Sequence, residues 1–119
     1  MTTDEQARPL TQLPARDEVA ALAAVGGDAD LAQELLDALI AGLPGEIDAL
    51  RINLGEEDWP GLAEHAHQMR GATRYCGVPA LDEAAEALQR TATIGDPQLI
   101  HRAFAQVESE AERLRQAIG

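Results

Sequence analysis

Leu31, Leu35, Leu39, Leu43, Ile47, Leu50 and Leu54 recur at spacings of three and four. A helix puts such a run on one face, because a turn takes about 3.6 residues. A strand would need the apolar residues at alternate positions. This leucine stripe must be buried against something, and the rest of the chain offers more helices. Asp28 can cap the stripe's N-terminus. Gly42, Pro44 and Gly45 interrupt it, yet the apolar phase continues, which predicts a kink or tight break between two helices running the same way. Gly55 ends the element.

Asp58 caps the next helix, with Pro60 in its first turn, where proline is tolerated. That helix is expected to reach about Tyr75 or Cys76, with Gly77 and Pro79 forming the turn. A further helix over 79–94 carries Leu81, Ala85, Leu88 and Ala92 in phase, and Gly95 stops it. Asp96 caps a last helix that starts at Pro97, with the stripe Ile100, Ala103, Phe104, Val107, Ala111, Leu114 and Ile118. Ahead of all these, PARDEVAALAAVGG predicts a short helix at about 15–25, stopped by Gly26 and Gly27. Short connections make successive helices antiparallel. The expected fold is all-α: an antiparallel up-and-down four-helix bundle with a short additional N-terminal helix. Residues 1–14 show no apolar period and read as a flexible lead-in or linker, leaving 15–119 as the domain.

Composition supports helices over strands: 45 % of residues are hydrophobic but only 3 % aromatic, and alanine and leucine dominate. The formal net charge of −12 repels phosphate backbones and anionic lipid. Nucleic acid and direct membrane contact are therefore poor expectations. No apolar run approaches the ~20 residues of a membrane span. MTTDEQARPL has no apolar core of a signal peptide. A lone cysteine, Cys76, forms no internal disulfide and suits a reducing, cytoplasmic setting.

Function concentrates in AEHAHQMRGATRYCG, residues 63–77. On a helical wheel, Leu62, Ala66, Met69, Thr73 and Cys76 share a narrow core sector. His67 falls on the opposite side, in one exposed strip with Arg70, Gly71 and Arg74. His65 falls on the flank, where a partly buried imidazole bonded to a neighbouring helix is expected. The plainest reading of His67 is an ordinary surface histidine. Two features weigh against it. Arg70 and Arg74 are two of only nine basic residues. Gly71 sits in a helix interior, where it costs roughly 0.5–1 kcal/mol relative to alanine. This set suits phosphoryl transfer through imidazole, since neutral histidine is nucleophilic near pH 7. Arginine balances the phosphoryl charge, and the bare glycine lets a partner approach.

His65 and His67 point to different faces and cannot chelate one metal, which leaves a metalloprotein built on His65, His67 and His101 a weak alternative. Cys76 reads as packing. No G-x-x-x-x-G-K-[ST] loop, G-x-G-x-x-G loop or serine, histidine and acid set is present, so kinase activity of its own is not expected.

Ala66-His67-Gln68-Met69-Arg70-Gly71, followed by ATRYCGVPALDEAAEALQ and preceded by LAQELLDALIAGLPGEIDALRINLGEEDWPGLAEHAH, resembles histidine phosphotransfer (HPt) domains. The likeness covers about 17–118. The ATRYCGVP run is similar to the C-terminal HPt domain of tripartite hybrid sensor kinases of the GacS/BarA type, which implies a longer parent protein. The resemblance implies that His67 is phosphorylated, most often on Nε2. Arg70 stands where many members carry lysine, and Gly71 provides clearance. Glu64 and Gln68 border the strip and, with Arg74, would contact the partner. The partners implied are response-regulator receiver domains and a hybrid sensor kinase, in a two-component phosphorelay, with this chain a monomeric phosphocarrier. Mg²⁺ would be held by the receiver, leaving this chain no cofactor or metal of its own. The competing expectation is a helical protein-docking module that uses the same strip without phosphate.

Overall fold

The computed structural model describes residues 13–118, and among these there are five helices and no strand. Most of the expected lead-in, residues 1–12, lies outside the described residues. Its last two residues are bonded to the rest of the fold: the Leu13 carbonyl accepts from Arg113, and the Pro14 carbonyl accepts from the Ala80 N–H at 3.4 Å.

Helix α1 spans Glu18–Ala24, α2 Ala29–Gly55, α3 Trp59–Thr73, α4 Pro79–Ile94 and α5 Pro97–Ile118. The expected caps form. Asp28 accepts from the Leu31 N–H at 3.1 Å, Asp58 from Gly61 at 3.0 Å, and Asp96 from Gln98 at 3.0 Å. Each satisfies a backbone donor that the first helical turn leaves open. Gly95 ends α4 in the left-handed region at φ 85°.

Three boundaries differ from expectation. Helix α1 starts at Glu18 rather than 15, because Asp17 caps it by accepting from the Ala20 N–H at 3.0 Å. Helix α3 stops at Thr73, short of Tyr75, where the chain turns through Gly77 at φ 65°. Of the kink or tight break expected at 42–45, the break is absent: α2 runs as one helix through Pro44. Pro44 itself is exposed, while Leu39, Leu43 and Leu50 stay buried. Continuous burial of that face outweighs one lost hydrogen bond.

The stripe on α2 is also rotated slightly from its expected centre. Ala32 and Leu36 are buried, whereas Leu31 is 39 % exposed. On α5 the expected face is buried from Ile100 to Leu114, and Ile118 at its end is exposed.

Helix α3 packs along α4, α4 along α5 and α2 along α3, with a smaller contact from α2 to α5. One core of leucine, alanine and small residues runs between them, including Leu50, Leu62, Leu81, Leu88, Ile100 and Leu114. Alanines at 66, 84 and 85, all fully buried, let α3 and α4 approach closely. Glu110 is buried as well, and it is satisfied by Gln106 at 3.1 Å and Arg113 at 3.2 Å.

Candidate functional site

Burial of Leu62, Ala66, Met69 and Thr73 fixes the rotation of α3 about its axis. His67, Gln68, Gly71 and Arg74 are consequently exposed. The His67 ring leans toward α4, where Gln89 Nε2 lies 3.3 Å from its Nδ1. Among the described residues this is the bond the imidazole makes, and Nε2 has no partner. A side-chain amide offers either its oxygen or its nitrogen after a flip of half a turn. With the Gln89 oxygen turned to the ring, Nδ1 keeps the proton and donates it. Nε2 then carries the lone pair toward solvent.

His65 sits as expected, on the flank: its Nε2 is 2.9 Å from Glu46 Oε1 on α2, and its side chain is 25 % exposed. That nitrogen is occupied. His101 is exposed on α5. The three histidines do not converge, and among the described residues no group of three His, Cys, Asp or Glu is placed to hold a metal ion.

Gly71 is exposed, and a Cβ built on it would meet nothing within 4 Å. Its backbone is ordinary helix, outside the positive-φ glycines. Among the described residues, neither packing nor backbone geometry calls for glycine there. Beside it a groove of about 390 Å³ lies between α2 and α3, lined by Leu35, Leu39, Gly42, Met69, Gly71 and Tyr75.

Arg70 departs from the expected exposed strip. It is half-buried, and its Nε and Nη2 each donate to Asp82 on α4 at 3.3 Å. The bond to Asp82, and the field of Asp82, Glu86 and Glu83, raise its pKa above the usual arginine value. Thr73 donates to the same carboxylate at 2.7 Å. Arg74 is exposed and forms no ion pair among the described residues. Glu64 and Gln68 are exposed and hydrogen-bonded to each other at 3.2 Å. Cys76 is buried, as its core-sector position implies, and burial pushes its thiol pKa up.

Sequence reasoning missed Gln89 and Asp82. Both are polar residues of α4 beside buried alanines and leucines, and their partners lie on another helix. A wheel of α4 places them next to the face that α3 covers. Their specific partners depend on how the two helices are set against each other.

A family model described as "Hpt domain" matches residues 34–117. Over 70 residues, 59 % of this chain, the sequence is 40 % identical to a protein named Sensor protein GacS from Pseudomonas syringae pv. syringae. Over 75 residues, 63 % of this chain, it is 37 % identical to a Sensor histidine kinase GacS from Pseudomonas protegens. The matched stretch spans 8 % of the length of each relative. No solved structure matches the chain.

Proposed function

The chain belongs to the Hpt domain family, and on that footing we propose that it is a phosphocarrier of a two-component phosphorelay. His67 takes a phosphoryl group from the aspartyl phosphate of one response-regulator receiver domain and passes it to the aspartate of another. The observation that carries this reading is the setting of His67. One ring nitrogen is held by Gln89, and the other is free on an exposed helix face.

The chemistry follows from that setting. The Nε2 lone pair attacks phosphorus, and an N–P bond forms as the P–O bond to the receiver aspartate breaks. The electron pair of that bond stays on the carboxylate. With the Gln89 amide turned so that its oxygen faces the ring, Nδ1 keeps its proton and donates it there, and the ring takes a positive charge beside the phosphoryl oxygens. The reverse sequence returns the group to a second aspartate. The helix holds the imidazole in line, so the partner meets a prearranged nucleophile. Arg70 offsets phosphoryl charge, and Gly71 gives the receiver clearance. Glu64, Gln68 and Arg74 border the contact, and the apolar groove beside Gly71 receives part of the partner surface.

Mg²⁺ belongs to the receiver in this reading, and the chain supplies no cofactor or kinase activity of its own. The parent is a hybrid sensor kinase, the site faces the cytoplasm, and the domain acts as a monomer. Among the described residues no helix is long and apolar enough to cross a membrane. We take the four long helices as an antiparallel up-and-down bundle. Short connections and contacts between successive helices support it.

The test is intact mass after incubation with a phosphorylated receiver domain and Mg²⁺, wild type beside His67→Gln. One acid-labile phosphate on the wild type and none on the variant is expected. Labelling that survives the substitution would move the site to His65 or His101. Partner binding with no label on either protein would leave a docking module.

A further inference from the structure

Arg70 lies one helical turn beyond His67, yet its guanidinium is committed elsewhere. Nε and Nη2 form a two-pronged grip on Asp82, with side-chain exposures of 16 % and 24 %. A grip of that geometry on partly buried groups is stronger than an ordinary surface pair. Asp82 does not depend on it. The carboxylate also accepts from Thr73 at 2.7 Å and sits in the first turn of α4, where the helix dipole favours negative charge. It stays satisfied if Arg70 leaves. Arg70 faces two further carboxylates, Glu83 and Glu86, and Glu86 lines a recess of about 370 Å³ with Arg70, Gln89 and Arg90. The recess borders Gln89, the residue bonded to His67.

Held this way, the guanidinium offers a phosphoryl dianion only its Nη1 and remaining Nη2 hydrogens, and its Nε–Nη2 edge becomes available only when Asp82 lets go. We propose that Asp82 is a positioning residue for phosphotransfer: it holds Arg70 at the start of α4 and competes with the phosphoryl group on His67 for that guanidinium. This rests on the reading of His67 as the carrier. In the unphosphorylated protein Arg70 is parked on Asp82. Phosphorylation of His67 creates a second acceptor one turn away, and Arg70 moves between two satisfied arrangements. The strength of the Asp82 grip then sets how fully the phosphoryl group is retained.

The experiment is the equilibrium ratio of phosphorylated to free His67 against a phosphorylated receiver, read by intact mass. The proteins compared are the wild type, Asp82→Asn, Arg70→Ala and the double variant. Releasing Arg70 in Asp82→Asn is expected to raise the ratio about threefold to fivefold or more, starting from the upper end of what an exposed ion pair is worth. In the Arg70→Ala background the same substitution is expected to leave the ratio unmoved. Asp82→Ser, which keeps a hydrogen-bonding group for Thr73 without the charge, is expected to repeat the rise should Asp82→Asn fold poorly. A purely structural role for Asp82 would lower the melting temperature and leave the ratio unchanged. An unchanged ratio in both single Asp82 variants, or an equal rise without Arg70, overturns the proposal. A wild type that takes no label overturns the carrier reading instead.

Discussion

At the scale of single residues, Gly71 and His67 test each other. Nothing among the described residues lies within 4 Å of a Cβ placed at Gly71, and its backbone is helical. Gly71→Ala is therefore expected to stabilise the fold by about 0.5–1 kcal/mol in denaturant melts. In the proposed reading the same methyl group stands where the receiver approaches His67, so the transfer rate is expected to fall on the order of tenfold. A variant more stable and equally fast would mean the bare backbone has no role in docking. The outward turn of His67 and the flank position of His65 were legible in the spacing of residues 62–76. The partners of Arg70 and His67 were not, because they lie 12 and 22 residues further on, on another helix. Periodicity gives the face on which a side chain lies. It does not say which side chain of a second helix arrives there.

At the scale of elements, the turn between α3 and α4 differs from the glycines of α2. Gly77 holds φ 65°, and a Cβ there would collide with the Asp17 carbonyl and with Ala21 of α1. Gly77→Ala is expected to cost about 2 kcal/mol or more in equilibrium unfolding, since backbone strain and a steric clash add. A loss under about 0.5 kcal/mol, the size of an ordinary surface change, would show that the turn relaxes freely. Turn and cap positions were largely readable: Asp28, Asp58, Gly95 and Asp96 act where local chemistry puts them. Of the kink or tight break read at Pro44, the break fails because a helix breaker is judged locally, while its cost depends on the packing of the whole helix. In α2 Pro44 lies on an exposed position, and the buried leucines carry the helix through.

At the scale of the whole molecule, global stability reports on one buried acid. The chain contains no lysine, its nine basic residues all being arginine. Few groups besides Cys76 therefore titrate between about pH 8 and 10. Burial raises the Cys76 pKa in the fold, so the native state holds the proton more tightly than the unfolded chain. The contribution is complete below the unfolded thiol value of about 8.5 and is lost as pH rises through the higher folded value. Stability measured in urea is expected to decline over that range and to stay flatter in Cys76→Ala. Equal slopes would mean that Cys76 is not the group responsible. The all-helical class was legible from the leucine stripe. The buried carboxylate of Glu110 was not, because only the packed assembly brings Gln106 and Arg113 onto it together.

The segment from Leu13 to Asp17 joins the turn after the His67 helix at two points, Arg16 to the Cys76 carbonyl and the Asp17 N–H to the Gly77 carbonyl at 2.7 Å, and the start of α4 at a third, Pro14 to Ala80. These bonds lie close together on one short stretch of backbone. Tension applied at Leu13 is met by its carbonyl's bond to Arg113 of α5 and, within the next four residues, by these bonds at the turn. The fold has in effect a mechanical lead wired to the C-terminal end of its histidine helix.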